Sequence, residues 1–467
     1  MVRWSIGLVV LVAALAGGAY VAAGRGEPPR LAFDKPDRVV GQTGSIDVTA
    51  EAPNARFTSL VVTLEQNGKT VPLFSLDTPD TAQVTQVGRN QIRISRPFGK
   101  QSVPALQAGT ARLVVTAVRP SFLNLRTLSS TATKEVRVRL EPPRIAVVST
   151  HHYVNHGGAE MVVYRATPDD VLSGVRVGNI EYLGYPLSGV RLQADQVRLK
   201  PDSTYAAFFA LLHDQDLNTH IVAFARDEAG NEATANFVDN VFEKPFKKSR
   251  IEIDDKYIDR VVPDIIQHSP ELKMSGPTGD RLADFLKVNG ELRRINADEI
   301  AAFGRKTSST RLWQGPFVQL GNSKVEASFA DHRTYIYKGK DVDQQVHLGF
   351  DLAVTEHVPV AAANDGTVVN ASWVGIYGNC IILDHGMGVQ SLYAHLMSFD
   401  VKVGDHVMRG QRIALSDSTG LAGGDHLHFT MLVGGHMVNP VEWWDAHWVT
   451  DRIDRKFEEA RKLNELR

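Results

Sequence analysis

From His426 to Phe429 the chain reads His-Leu-His-Phe. Polar and apolar side chains alternate there with the two-residue period of an extended strand, so His426 and His428 share one face while Leu427 and Phe429 fill the other. Two imidazoles on one strand face constrain what must lie opposite. Two further stretches offer candidates: His347-Leu-Gly-Phe-Asp351, and His395 within Tyr393-Ala-His-Leu396. Gly349 interrupts any helix between His347 and Asp351, and Gln344-Gln345-Val346 does not continue a helical pattern. An extended reading puts His347, Gly349 and Asp351 on one face, with the glycine leaving room for a metal against the backbone. His395 carries little weight alone and gains it only from the others.

Four imidazoles and a carboxylate are more than one zinc ion needs as ligands. Three ligands with an open fourth position make a catalytic site, not a structural one. Zinc suits imidazole and carboxylate donors, lowers the pKa of its water to about 7 and polarises a carbonyl. Hydrolysis also needs a base for the water proton and a donor to the oxyanion. The five residues therefore divide into three ligands and two catalytic imidazoles, and spacing alone does not say which are which.

A chain of 467 residues has length for roughly three domains. Basic and acidic residues nearly cancel, 51 against 53, so no basic excess argues for nucleic-acid binding. A single cysteine, Cys380, rules out an intramolecular disulfide; beside Ile381-Ile382-Leu383 it reads as a buried strand residue. Residues 5–24 are uncharged and mostly apolar after Arg3, close to bilayer-spanning length. They read as a signal peptide or, by length, a retained anchor in the cytoplasmic membrane; either exports the rest.

Residues 31–142 look all-β, with valine-rich stretches at Ser45–Glu51, Ser59–Glu65, Ala111–Val118 and Lys134–Leu140 and an Asn67-Gly68 hairpin turn. A second β region covers 143–245. Its Ala225-Arg-Asp-Glu-Ala-Gly-Asn231 resembles the last hairpin of bacterial immunoglobulin-like modules. Both are expected to be β-sandwich modules. Residues 246–310 read as a helical connector, with Asp280 capping one helix and Asn296-Ala-Asp-Glu299 a capping box for another. Strand signals return over 311–450, and 451–467 form a charged helical tail.

The C-terminal region resembles the lysostaphin-type, LytM-like zinc endopeptidases that cut peptidoglycan cross-links. The resemblance rests on ordered landmarks: His347-x-Gly-x-Asp351, Asp365-Gly366-x-Val368, Gly378-Asn379, Tyr393-Ala-His395-Leu396, Ser418-Thr419-Gly420, His426-Leu427-His428-Phe429 and Asn439-Pro440. It implies an antiparallel β-sheet peptidase domain with one Zn2+. It makes His347, Asp351 and His428 the metal ligands, and His395 and His426 the catalytic pair. One departure is Ser416-Asp417, where the family usually has Ser-Gly near the groove.

The resemblance implies a mainly β, exported cell-envelope hydrolase, periplasmic or at the cell surface. Its expected partners are peptidoglycan peptide stems, the inner membrane through the N-terminal segment, and envelope proteins met by the β modules. The alternatives are a catalytically silent regulator that activates a cell-wall amidase, and a scaffold built on the β modules. Remaining histidines are expected to be structural (His385, His406, His436, His447) or in loops (His332, His357). His151, His152 and His156 read as a polar loop, and Trp443, Trp444 and Trp448 as core.

Overall fold

In the computed structural model of the chain, the described residues are 2–79, 82–121, 124–187 and 203–465. They are mainly β and divide into two units, one of residues 1–143 with 226–232, the other of 144–225 with 233–467.

In the first unit, the apolar stretch forms a helix, Val2–Ala23. Its Ile6–Ala23 segment has a mean hydropathy of 2.3 and is 6% buried, long and apolar enough to cross a membrane. Alternation then builds two sheets. Ser59–Gln66 buries Leu60, Val62 and Leu64 on one face, and Gly109–Pro120 buries Ala111, Leu113, Val115 and Ala117. These strands lie in a five-stranded sheet, and Ser45–Glu51 lies in a four-stranded one. Both sheets supply the same apolar core, in which Ile46 and Val48 join Leu64 and Val115. The Asn67-Gly68 turn joins Gln66 to Lys69 directly; both turn residues have positive φ, 50° and 73°, as a two-residue hairpin requires.

The second unit has one continuous core. Strands Ala159–Thr167 and Thr204–Ala210 of the second β region contribute Val162, Phe208 and Phe209. The C-terminal region contributes Trp313, Phe429 and Trp443. Phe208 lies 5.9 Å from Trp443 between ring centroids, and Trp313 lies 5.7 Å from it. Trp443 is wholly buried. The charged C-terminal stretch is anchored rather than merely solvated: Lys456 Nζ donates to Glu160 Oε1 at 2.8 Å and to the Met161 carbonyl at 2.7 Å, all inside this core. Glu442 reaches the same β region, accepting from Asn155 Nδ2 and the Ala159 N–H, both at 2.7 Å.

The stretch expected to be helical begins with a strand. Lys248–Ile253 pairs in parallel with Asp331–Tyr337, which pairs antiparallel with Lys340–His347. Helices Asp255–His268, Arg281–Leu286 and Arg293–Phe303 follow. Asp280 does cap the second of these, accepting from the Ala283 N–H. The expected capping box at Asn296 is not formed. Asn296 lies inside the last helix, fully buried, and its Oδ1 accepts from the Ile376 N–H at 3.0 Å; a tertiary hydrogen bond has claimed the side chain.

The sheet that carries the histidines runs, in antiparallel order, Lys324–Ala327, Phe350–Ala353, His426–Val433, Val389–Phe399, Asn379–Gly386, Gly366–Trp373 and His406–Val407. Cys380 is a buried member of it, and burial raises its thiol pKa.

Candidate metal centre

Strand register brings the site together. Asp351 stands directly opposite His428, and His428 in turn opposite Ala394, next to His395. Residues opposite each other in an antiparallel pair share a face, and His426 shares it by being two positions from His428.

His347 arrives differently from the sequence expectation. It is not on one strand with Asp351: it ends Lys340–His347 in the three-stranded sheet, while Asp351 belongs to Phe350–Ala353 in the large sheet. The chain crosses between sheets at Leu348-Gly349. The glycine is needed there for a different partner than expected. A Cβ on Gly349 would lie 2.5 Å from both Cε1 and Nε2 of His428, so the missing side chain makes room for the His428 ring.

Three atoms converge. His347 Nε2 is 2.9 Å from Asp351 Oδ1 and 3.0 Å from His428 Nδ1, and His428 Nδ1 is 3.0 Å from Asp351 Oδ1. Tetrahedral Zn2+ with ligands at about 2.0–2.1 Å spaces its donors roughly 3.3 Å apart. Two imidazole nitrogens and one carboxylate oxygen in a near-equilateral triangle therefore fit such an ion in both chemistry and size.

The outer contacts fix each donor. His347 Nδ1 faces the Ser328 carbonyl at 3.2 Å, which orients the ring and leaves Nε2 as the donor atom. Arg333 Nη2 donates to Asp351 Oδ2 at 2.9 Å, leaving Oδ1 for the centre. Burial raises the Asp351 carboxyl, but the charge of His347 and hydrogen bonds from His347, His426 and His428 outweigh it and hold it well below its usual value. Burial takes His428 down to about 4, against the opposing hydrogen bond of Asp351. Neutral imidazole and ionised carboxylate are the forms a metal needs.

The other two histidines flank the triangle. His395 Nδ1 faces the Thr419 carbonyl at 2.6 Å and His426 Nδ1 the Gly424 carbonyl at 2.8 Å, which turns each Nε2 toward the triangle; His426 Nε2 lies 3.5 Å from Asp351 Oδ1. Their rings are 4.8 Å apart. His395 has φ 59°, uncommon for a residue with a side chain. Burial, then the nearby charges of His426 and His428, push its pKa well down. Burial also lowers His426, but Asp351, through hydrogen bond and charge, leaves it raised. The two shifts run in opposite directions, so the two rings differ in basicity.

All five residues line one cavity of about 570 Å³. Residues the sequence reading missed also line it: Ser249, Tyr257, Arg293 and Arg333. Nothing local marks them, because strand and helix pairing across the chain brings them in. Three other histidines are engaged elsewhere. His385 is buried between the Asp365 carbonyl and Ser391 Oγ, each at 2.7 Å. His152 meets Ser149 Oγ at 2.8 Å, and His156 the Gln215 carbonyl at 3.0 Å.

Residues 345–440 match the profile described as Peptidase family M23. Among curated proteins, an uncharacterized metalloprotease of Haemophilus influenzae is 37% identical over 120 residues, 26% of this chain and 25% of that protein. The peptidoglycan DD-endopeptidase ShyA of Vibrio cholerae is 40% identical over 96 residues, 21% of this chain and 22% of that one. The murein hydrolase activator EnvC of Escherichia coli is 39% identical over 95 residues, 20% of this chain and 23% of that one. The chain spans about a quarter of the length of the curated relatives it matches. Among solved structures, the catalytic domain of the antimicrobial peptidase lysostaphin from Staphylococcus simulans is 32% identical, covering 26% of this chain and 92% of that one, with a TM-score of 0.24.

Proposed function

We propose that the M23 peptidase domain at the C-terminus of this chain is a working zinc endopeptidase that hydrolyses peptide cross-links of peptidoglycan. The observation that carries the proposal is the triangle of His347, Asp351 and His428 with the imidazoles of His395 and His426 beside it. In this reading His347, Asp351 and His428 hold one Zn2+. The bound ion supplies Lewis acidity, making water a nucleophile near neutral pH and polarising the scissile carbonyl. His395, neutral and oriented by the Thr419 carbonyl, takes a proton at Nε2. His426, whose pKa Asp351 raises against the effect of burial, donates at Nε2 to the oxygen that gains charge as the amide carbon becomes tetrahedral. The surrounding cavity holds the peptide stem and limits water.

The same reading places the protein in the cell envelope, exported and anchored in the cytoplasmic membrane by residues 5–24. Residues 31–142 and 143–245 would serve as immunoglobulin-like sandwich modules that position the peptidase region, 311–450, through the 246–310 connector. The activator named among the relatives favours a second reading, in which the domain binds and switches on an amidase. The presence of all five site residues weighs against it.

The test is digestion of purified peptidoglycan, with and without a chelator, followed by mass spectrometry of the released muropeptides. Zinc-dependent cleavage that His395→Ala abolishes is the expected result. No cleavage by zinc-loaded protein, with full function of His395→Ala in cells, would establish the regulator instead.

A further inference from the structure

A second group of metal-capable side chains is joined through the Asp417 backbone to His395 and His426. One ligand atom each from His357, Asp417 and Asp425 lies within 4.8 Å of the others. Two carboxylates that close repel each other unless a positive charge lies between them. His357 is the one residue of the group able to offer a nitrogen; its side chain is 47% exposed, and its Nδ1 lies 3.4 Å from the Ser416 carbonyl.

Asp425 supplies the independent observation. Its side chain is only 8% exposed. One oxygen, Oδ2, accepts from the His357 N–H at 2.8 Å and lies 3.7 Å from His357 Nδ1. The other, Oδ1, is buried without a hydrogen-bond partner among the described residues. An ionised oxygen left bare in the interior is expensive, and such an atom in a native fold calls for a ligand. The Asp417 carboxylate makes no hydrogen bond or ion pair among the described residues, while its backbone is firmly tied. Its N–H donates to the His395 carbonyl at 2.8 Å, and its carbonyl accepts from the His426 N–H at 3.2 Å.

We propose that His357, Asp417 and Asp425 form a second binding site for a divalent first-row cation, with Zn2+ as the best match to one imidazole and two carboxylates. An ion there would neutralise the paired carboxylates and give Asp425 Oδ1 its missing partner. It would also clamp the bridge between Asp417 and His426, which connects to the backbone of His395. Its role is to position the two proton-handling histidines through the Asp417 backbone. That role rests on the proposed peptidase reading, whereas the binding of the ion does not.

Equilibrium dialysis of the full chain against Zn2+, followed by elemental analysis, reads it directly. The expected ratio is two ions per chain, falling to one in His357→Ala and in Asp417→Asn, to one in His428→Ala, and to none in the His357→Ala/His428→Ala pair. A ratio of one in the unaltered chain that His428→Ala abolishes and His357→Ala leaves intact overturns this second site while sparing the first. A ratio of one that follows His357 alone would instead overturn the proposed catalytic centre.

Discussion

Gly349→Ala is the sharpest probe of how the metal triangle is built. Gly349 does not use a left-handed φ, so alanine meets no backbone penalty there; the cost is steric. The new Cβ would sit 2.5 Å from Cε1 and Nε2 of His428, where ordinary contact begins at 3.4 Å. The ring or the backbone must therefore yield 3.4 − 2.5, or 0.9 Å. The backbone is the poorer choice, because the same Cβ lies 3.0 Å from the Phe429 carbonyl, and Phe350 is paired with Phe429 across the sheet. Movement thus falls on the ligand ring, and metal–ligand distances tolerate only about 0.2 Å. Overpacking of this kind costs about 1–3 kcal/mol. Charged wholly to the metal-bound state, that is about a 5- to 150-fold loss of Zn2+ affinity at the His428 site. Competition against a chromophoric chelator measures it, with circular dichroism to check the fold and His357→Ala as background to silence the second site. Unchanged affinity in a folded Gly349→Ala protein would refute the account of why glycine stands there.

Three other outcomes follow from the packing. Arg333→Leu should loosen Asp351 by stripping Oδ2 of its donor, lowering Zn2+ affinity about 10- to 100-fold; Arg333→Lys should recover part of it, and equal affinity in both variants would show that the contact orients nothing. Burial raises the Glu442 carboxyl to about 7 from 4.5. Its folded-state pKa is therefore the higher one, and the associated stability is complete below the unfolded value and is lost as pH rises to about 7, a swing of about 3 kcal/mol. Urea unfolding at about pH 5 and about pH 8 should show a smaller difference for Glu442→Gln than for the unaltered chain, and an identical difference would remove Glu442 as its source. Lys456→Met strands the wholly buried Glu160 carboxylate and should cost about 3–5 kcal/mol, whereas Lys456→Met/Glu160→Gln should regain much of it in the same melts; no rescue would mean that lost packing, not the orphaned charge, sets the cost.

Alternation made the strand at His426–Phe429 legible, because a strand repeats every two residues and its faces can be counted without knowing its neighbours. The same reasoning failed at His347–Asp351. Its local pattern fits one strand, and only sheet pairing reveals that Leu348-Gly349 carries the chain from one sheet into another. Asn296 misled for a related reason: the capping pattern is real in the letters, but a hydrogen bond to Ile376, distant in sequence, outcompetes it. Arg333 and Glu442 left no readable trace, since each matters through a partner that folding alone brings near. The resemblance to a known family supplied the division into ligands and proton carriers, which no spacing argument could.

The strand Lys248–Ile253 has a consequence for how small a folded fragment carrying the five site residues can be made. It covers the outer edge of Asp331–Tyr337, the strand that carries Arg333. A piece cut at residue 311 would uncover that row of backbone donors and acceptors. Bare edges recruit other chains, so such a fragment is set to self-associate through the very hairpin that delivers His347. Any minimal version of this C-terminal region must carry its own edge guard, contributed by a segment that lies nearly eighty residues upstream of the hairpin it protects.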